Sequence, residues 1–241
     1  MSLSEKQIQA GRHLADELRP LLFSEPVTHC YLTLDYASEG YEAYVRKFAG
    51  TRKRVLFLGM NPGPYGMAQT GVPFGEIAAV RDWMGLSPLI QKPVVEHPKR
   101  RILGMDCPKS EVSGRRLWGL FAEKYPRAED FFADHFVLNF CPLIWMSQSG
   151  ANITPDKIRA GEMAPVQLAC QGHLQATIKI LAPEILIGVG GYAEAQMLMA
   201  NSATGNKAFV GKILHPSPAS PAANRGWAEV AGRQLKELGV W

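Results

Sequence analysis

The chain is short of the residues that build cysteine-based centres. Its 241 residues include four cysteines, Cys30, Cys107, Cys141 and Cys170, scattered with no CxxC pair. That spacing gives no support to a zinc or iron–sulfur site and predicts free thiols in a reducing compartment. No apolar run approaches the ~20 residues of a membrane span, so no membrane partner is expected and a cytoplasmic location is. The sequence lacks a GxxxxGK[ST] phosphate loop and a GxGxxG dinucleotide fingerprint. It also lacks internal repeats and low-complexity linkers. The first twenty residues carry Glu5, Lys6, Arg12, Asp16, Glu17 and Arg19, which predicts no secretory signal peptide. One-sided charge is absent too. Lys+Arg 26 against Asp+Glu 22 leaves +4, a balance that permits an anionic partner without requiring one.

What is present is ordinary globular composition, 46% hydrophobic and 20% charged, in a length that suits one domain over residues 1–241. Residues 1–30 read as an N-terminal helix and lead-in, with Ser4 as cap and Pro20 as stop. The aromatic stretch Tyr31, Tyr36, Tyr41, Tyr44 and Phe48 reads as a segment wrapped on the core. VLFLG after Arg52-Lys53-Arg54 is an all-apolar strand of the kind buried on both faces. HFVLNF, EILIGVG and FVGKIL read as three more strands. Helices are expected over Glu76–Met84, Gly114–Tyr125, Pro165–Leu181 and Ser220–Leu238. Alternation of this kind predicts an α/β fold, a parallel sheet with helices on both faces, and a site at the carboxyl ends of the strands.

The segments leaving those strands carry the chemistry. Gly59 to Gly75, GMNPGPYGMAQTGVPFG, is a loop of tight and stiff turns. Asn61 holds an amide at its start, able to orient a water but not to take its proton. A turn cap is the plainer role. Phe74 offers either core packing or a stacking platform for a flat ligand. Asn139 ends an apolar strand, where a carboxamide is costly unless bonded. It can match a base edge carrying one donor and one acceptor, or satisfy local backbone. His215 opens HPSPASPAANRGW, and a neutral imidazole there can donate to an oxygen that gains charge. Ser217 and the amides of the following helix suit a phosphate. The basic clusters Arg52-Lys53-Arg54, Lys99-Arg100-Arg101 and Arg115-Arg116 are solvated faces singly, and together a possible track for a phosphate backbone.

Taken together, the two motifs resemble those of the single-strand-selective monofunctional uracil-DNA glycosylase family, in a bacterial-type member. DCPKSEVSGRRLW and LNFCPL fit as well, and the resemblance runs from about Tyr31 to the C-terminus. It implies a three-layer α/β/α fold around a short parallel four-stranded sheet. It implies removal of uracil and C5-oxidised uracils such as 5-hydroxymethyluracil from single- and double-stranded DNA, without cofactor or metal, by a protein expected to be monomeric. By the same resemblance Asn61 positions the attacking water and His215 stabilises the leaving uracil at O2. Asn139 reads the N3–H and O4 edge, and Phe74 stacks on the flipped base. Backbone of Gly63 and Met67 holds a water facing C5, Met60 lines the pocket, and a glycine at 63 leaves room for a C5 group. The family usually places a basic side chain after HPSP. Here Ala219 stands there, followed by Ser220 and Pro221, so a smaller element must open the duplex; Ser217, Pro218 and Ala219 are expected to meet the DNA, with Arg225 as a phosphate contact. Two alternatives stand beside this: a mismatch-directed uracil or thymine glycosylase of the same superfamily, and a non-enzymatic binder of single-stranded or damaged DNA.

Overall fold

A computed structural model describes residues 1–241. In chain order the elements are α1 Leu3–Leu18, β1 His29–Leu32, α2 Thr33–Tyr36, α3 Ser38–Phe48, β2 Val55–Gly59 and α4 Met67–Thr70. After a long irregular segment come α5 Val112–Lys124, α6 Ala128–Asp134, β3 His135–Asn139, β4 Leu143–Met146 and β5 Asn152–Ile153. The chain ends with α7 Ala160–Leu181, β6 Ile185–Val189, α8 Gly191–Thr204, β7 Phe209–Ile213, α9 Pro221–Asn224 and α10 Trp227–Glu237.

The four expected strands form one sheet in the order β3-β2-β6-β7, every neighbouring pair parallel. β2 and β3 are buried throughout, which explains their unbroken apolar runs. On one face Phe57 of β2 meets Phe121 of α5 and Phe131 of α6, while α10 packs on β7 and α5. On the other, α8 lies over β6 and β7, α7 packs on α8 and α1, and Tyr44 of α3 stacks on Phe136. These are the three layers of the expected α/β/α fold. No helix is long and apolar enough to cross a membrane.

A second, antiparallel sheet, β1-β4-β5, was not legible. Its central strand is four buried residues, LIWM, too short to show a period. The aromatic stretch does wrap on the core, as β1, α2 and α3. Its hydroxyls bond backbone far along the chain: Tyr31 donates to Arg100 O, Tyr36 to Ala68 O of α4 and Tyr44 to Val137 O of β3.

Several helix bounds need correction. The first helix is capped by Ser2, not Ser4. Ser2 Oγ accepts from Glu5 N–H and Glu5 Oε2 accepts from Ser2 N–H, a reciprocal capping box. α7 begins at Ala160 rather than Pro165, because Arg159 O already accepts from the N–H groups of Glu162 and Met163. The Glu76–Met84 segment widens into a π-turn over Ala79–Trp83, with Met84 N–H bonded to Ala79 O. The last helix is two, α9 and α10, because Gly226 between them takes φ +124°.

Candidate active site

At the carboxyl end of β2, Gly59 pairs in register with Asn139 of β3. A Cβ on Gly59 would overlap both Asn139 Oδ1 and the Phe74 ring, so only glycine lets the amide and the ring close over the strand end. Asn139 is 6% exposed. Its Nδ2 donates to Met67 Sδ at 3.3 Å, while Oδ1 has no partner within the protein. A buried carbonyl oxygen left without a donor is rare and expensive.

Phe74 takes φ +53°, a left-handed backbone that costs a bulky residue about 1–3 kcal/mol. The conformation is locked from behind. Phe74 O accepts from Trp118 Nε1–H at 3.1 Å and from Glu76 N–H. Gly114 of α5 packs so close to that carbonyl that a Cβ would collide with it. Gln69, buried, bridges the same loop to its neighbour. It donates to Pro64 O and Arg101 O and accepts from Leu103 N–H and Gly104 N–H.

His215 follows β7. Its Nδ1 accepts from Ser217 N–H at 3.1 Å, so the neutral ring carries its proton on Nε2. Burial holds its pKa below the ordinary 6.5, which keeps it neutral at pH 7. Gly190, at φ +94° beyond β6, lets the backbone approach the imidazole. A Cβ there would sit 3.3 Å from His215 Cβ. Asn61 donates through Nδ2 to Leu143 O at 3.4 Å, which leaves Oδ1 free to accept.

These groups share one cavity of about 230 Å³, below the range of drug-sized pockets. Met60, Asn61, Gly63, Met67 and Phe74 line it from the first loop, Asn139 from β3, and His215, Ser217 and Pro218 from the last. Four larger depressions, of about 700, 640, 440 and 420 Å³, contain no imidazole. Sequence reasoning missed Glu111, Ser113, Asn152 and Thr154, which also line the cavity. Glu111 and Ser113 lie inside DCPKSEVSGRRLW, so their motif was visible though their position was not. Asn152 and Thr154 had no signal, because they arrive on β5 and the turn after it. The space beside Gly63 is occupied: a Cβ there would collide with the Glu111 carboxylate.

Ala219 and Arg225 stand outside the cavity, both exposed, in the loop that borders it. That loop is braced. Ala219 N–H donates to Ser217 Oγ, Ser220 Oγ caps α9 at Ala223 N–H, and Asn224 Nδ2 donates to Pro218 O. Arg116 of α5 donates to Pro216 O and Asn224 Oδ1.

The first of the three basic clusters lies away from the cavity. Arg52, Lys53 and Arg54 precede β2, at the end of the sheet opposite the cavity. Lys53 is buried on Phe132 O, and Arg54 donates to Gly239 O and Val240 O. Arg116 is occupied by the bracing loop. Arg100 remains near the cavity. It donates to Tyr65 Oη and Gly150 O and lies over the Tyr65 ring, with Lys109 Nζ 4.8 Å from the same ring.

A polar cavity at the carboxyl ends of a short parallel sheet, walled by an Asn-Pro-Gly loop and a His-Pro-Ser loop, defines a class. Residues 47–234 match the uracil DNA glycosylase superfamily. Among relatives, a single-strand selective monofunctional uracil DNA glycosylase of Bos taurus is 46% identical over 239 residues, 99% of this chain and 88% of that protein. The same-named protein of Rattus norvegicus is 44% identical, covering 99% and 86%. Among solved structures, that of wild-type SMUG2 from Pedobacter heparinus superposes with a TM-score of 0.71 over 100% of both chains, at 16% identity, and shares the fold. The chain belongs to the uracil DNA glycosylase superfamily, and within it to the family of the single-strand selective monofunctional enzymes.

Proposed function

We propose that this protein removes uracil, and uracils oxidised at the C5 methyl, from DNA by hydrolysing the N-glycosidic bond. The observation that carries the reading is the unpartnered, buried Oδ1 of Asn139, facing a cavity that the Phe74 ring closes. A base rotated out of the stack would bring that oxygen a donor, N3–H. Nδ2 would exchange a weak sulfur acceptor, Met67 Sδ, for O4. Cytosine, which has no N3–H, would leave the oxygen stranded.

The same arrangement suits bond cleavage. His215 Nε2–H faces the charge that develops on O2 as the base leaves, and a neutral donor stabilises it without a proton transfer. Asn61 Oδ1 accepts from a water and holds it for an oxocarbenium-like sugar, which needs a placed nucleophile more than a strong base. No lysine lines the cavity, so no Schiff base forms and the product is an intact strand with an abasic site. The names of the relatives support single-stranded DNA as a substrate. Duplex DNA and a monomeric enzyme extend the reading.

The test is incubation with a single-stranded oligonucleotide carrying one uracil, in EDTA, followed by alkali. Cleavage only after alkali, with no adduct trapped by borohydride, is expected. Binding without base release, or activity that returns only with added metal, overturns it.

A further inference from the structure

We propose that Tyr65, Arg100 and Lys109 form a phosphate seat beside the mouth of the cavity, which holds the DNA backbone within two nucleotides of the rotated base. The inference rests on the reading of the cavity as a uracil site in DNA.

Three separate segments build the seat. Tyr65 follows Pro64 in the first loop. Lys109 stands two residues before Glu111, and Gly150, whose carbonyl anchors Arg100, stands two residues before Asn152. Pro64, Glu111 and Asn152 all line the cavity. Two residues of chain span at most about 7 Å, so the cluster lies against the cavity's rim. Tyr65 and Arg100 are half-buried and Lys109 is exposed, so solvent and a ligand reach them from outside.

As a set of charges the cluster is incomplete. Arg100 Nη1 donates to Tyr65 Oη, and Lys109 Nζ donates to the same oxygen at 3.2 Å. The guanidinium carbon lies 5.4 Å, and Nζ 4.8 Å, from the centre of the Tyr65 ring. Two cations gathered on one neutral phenol repel each other. Neither forms an ion pair within the protein. The carboxylate of Glu111 accepts from Tyr65 N–H instead. With two donors on Oη, the phenol's own proton has no acceptor in the protein, and Arg100 Nη2 is likewise unused. Every free group is thus a donor, and the net charge is positive. A phosphodiester supplies both the acceptors and the missing negative charge.

The seat is braced before an anion arrives. Arg100 Nε donates to Gly150 O at 2.6 Å, and Gly150 holds φ +81°. A guanidinium fixed at Nε presents its remaining donors with little further ordering. Arg100 thereby ties the Tyr65 loop to the β4–β5 hairpin, the two segments that bring Asn61 and Asn152 to the cavity.

The test is binding of a single-stranded oligonucleotide carrying one 2′-fluorinated deoxyuridine, which resists cleavage. Each phosphate around it is replaced in turn by a neutral methylphosphonate. Wild type is compared with Lys109→Gln, Arg100→Gln and Tyr65→Phe, and uracil release from the unmodified oligonucleotide is followed alongside. Lys109 is exposed and bonded only to Tyr65, so its variants should fold. Lys109→Gln should weaken binding about tenfold, the value of a lost bond to a charged group. It should also lower the slope of log Kd against log salt by about 0.7, and Lys109→Arg should restore both. One methylphosphonate within two nucleotides of the uracil should cost wild type about tenfold, and Lys109→Gln almost nothing further, because the contact is already gone. A methylphosphonate penalty equal in wild type and all variants at every position overturns the seat, as does an unchanged salt slope. Uracil release by the wild type then leaves the glycosylase reading intact. Failure of the wild type to release uracil overturns both.

Discussion

Ser217 N–H donates to Nδ1 of His215 at 3.1 Å, and that one bond determines which nitrogen faces the cavity as a donor. The backbone of the HPSP turn fixes the tautomer. Burial keeps the ring neutral. In the proposed reaction the imidazole would be a prepositioned hydrogen-bond donor, needing no reorganisation as charge develops on the leaving base. Replacing it by alanine should slow single-turnover uracil release by roughly 10²–10³. Asn61→Ala, which removes the water acceptor, should be comparably severe. Rapid-quench measurement on folded variants checks both, and near wild-type rates would remove the assigned role.

The pH profile follows from the same ring. Below its pKa the imidazolium would lose Nδ1 as an acceptor for Ser217 N–H and so its orientation. Its pKa is depressed, so the neutral, active form persists below pH 6.5 and the acid limb should have its midpoint under that value. Glu111 lines the same cavity, and Arg116, outside it, is occupied by Pro216 O. An acid limb that survives unchanged in His215→Gln would assign it to another group, with Glu111 first in line.

Gly59 makes a sharper test of the pocket than any polar residue. Gly59→Ala should push Asn139 Oδ1 and the Phe74 ring out of line, because the new Cβ overlaps both. Overpacking of this kind costs about 1–3 kcal/mol, which a domain of this size survives. The variant should stay folded while uracil release falls by about 10² or more, a loss that a small displacement at the reacting geometry suffices to cause. Retained activity would mean that neither Asn139 nor Phe74 meets the base.

Residues that line the cavity were legible where they stand in a strand-exit turn. Gly59-Met60-Asn61, Asn139 and His215 leave parallel strands, and a parallel sheet gathers its carboxyl ends at one edge. The strands themselves were readable because burial on both faces demands unbroken apolar runs. Glu111 was not readable as a pocket wall, because it enters from the residue before α5 and its reach toward Gly63 depends on packing across 48 positions of chain. β4 and β5 were hidden for a different reason. β4 pairs with β1 from far along the chain, β5 pairs only with β4, and strands this short leave no periodicity. The basic clusters misled because charge says nothing of which end of the sheet it occupies, and Lys53 and Arg54 serve carbonyls at the far end.

A buried polar cluster away from the site contributes to the acid stability. His173 is wholly enclosed, with Nε2 against Gln7 and Nδ1 unpartnered, and burial lowers its pKa to about 4. The unfolded chain binds a proton near 6.5, the folded chain near 4, so the unfolded state takes up more protons as pH falls. Stability present above pH 6.5 should decline between 6.5 and 4. His173→Asn should flatten that slope in urea titrations at pH 7, 5.5 and 4.5. The lowered values of His135 and His215 act in the same direction, so the difference between variant and wild type is the measure.

The exposed Ala219 leads to a prediction for duplex DNA. Rotating a base out of a paired stack costs a few kcal/mol, least in single strands and at mismatches. A side chain inserted in the gap offsets part of that. Ala219 is too short to fill the gap and carries no charge, and its N–H is already committed to Ser217 Oγ. The loop around it is stiff, held by Arg116, Asn224 and the Ser220 cap, so it will not reshape to supply a substitute. Uracil in a matched A·U duplex should therefore be released more slowly than in a single strand or opposite G. Ala219→Arg should narrow the difference mainly by raising the duplex rate, since the braced loop would present the longer side chain without new ordering. A phosphate contact by Arg225, exposed at the end of α9, would be the same in either case. Single-turnover kinetics on matched, mismatched and single-stranded substrates decides the matter. A duplex rate unchanged or lower in Ala219→Arg would assign the wedge to Pro218 or Ser220.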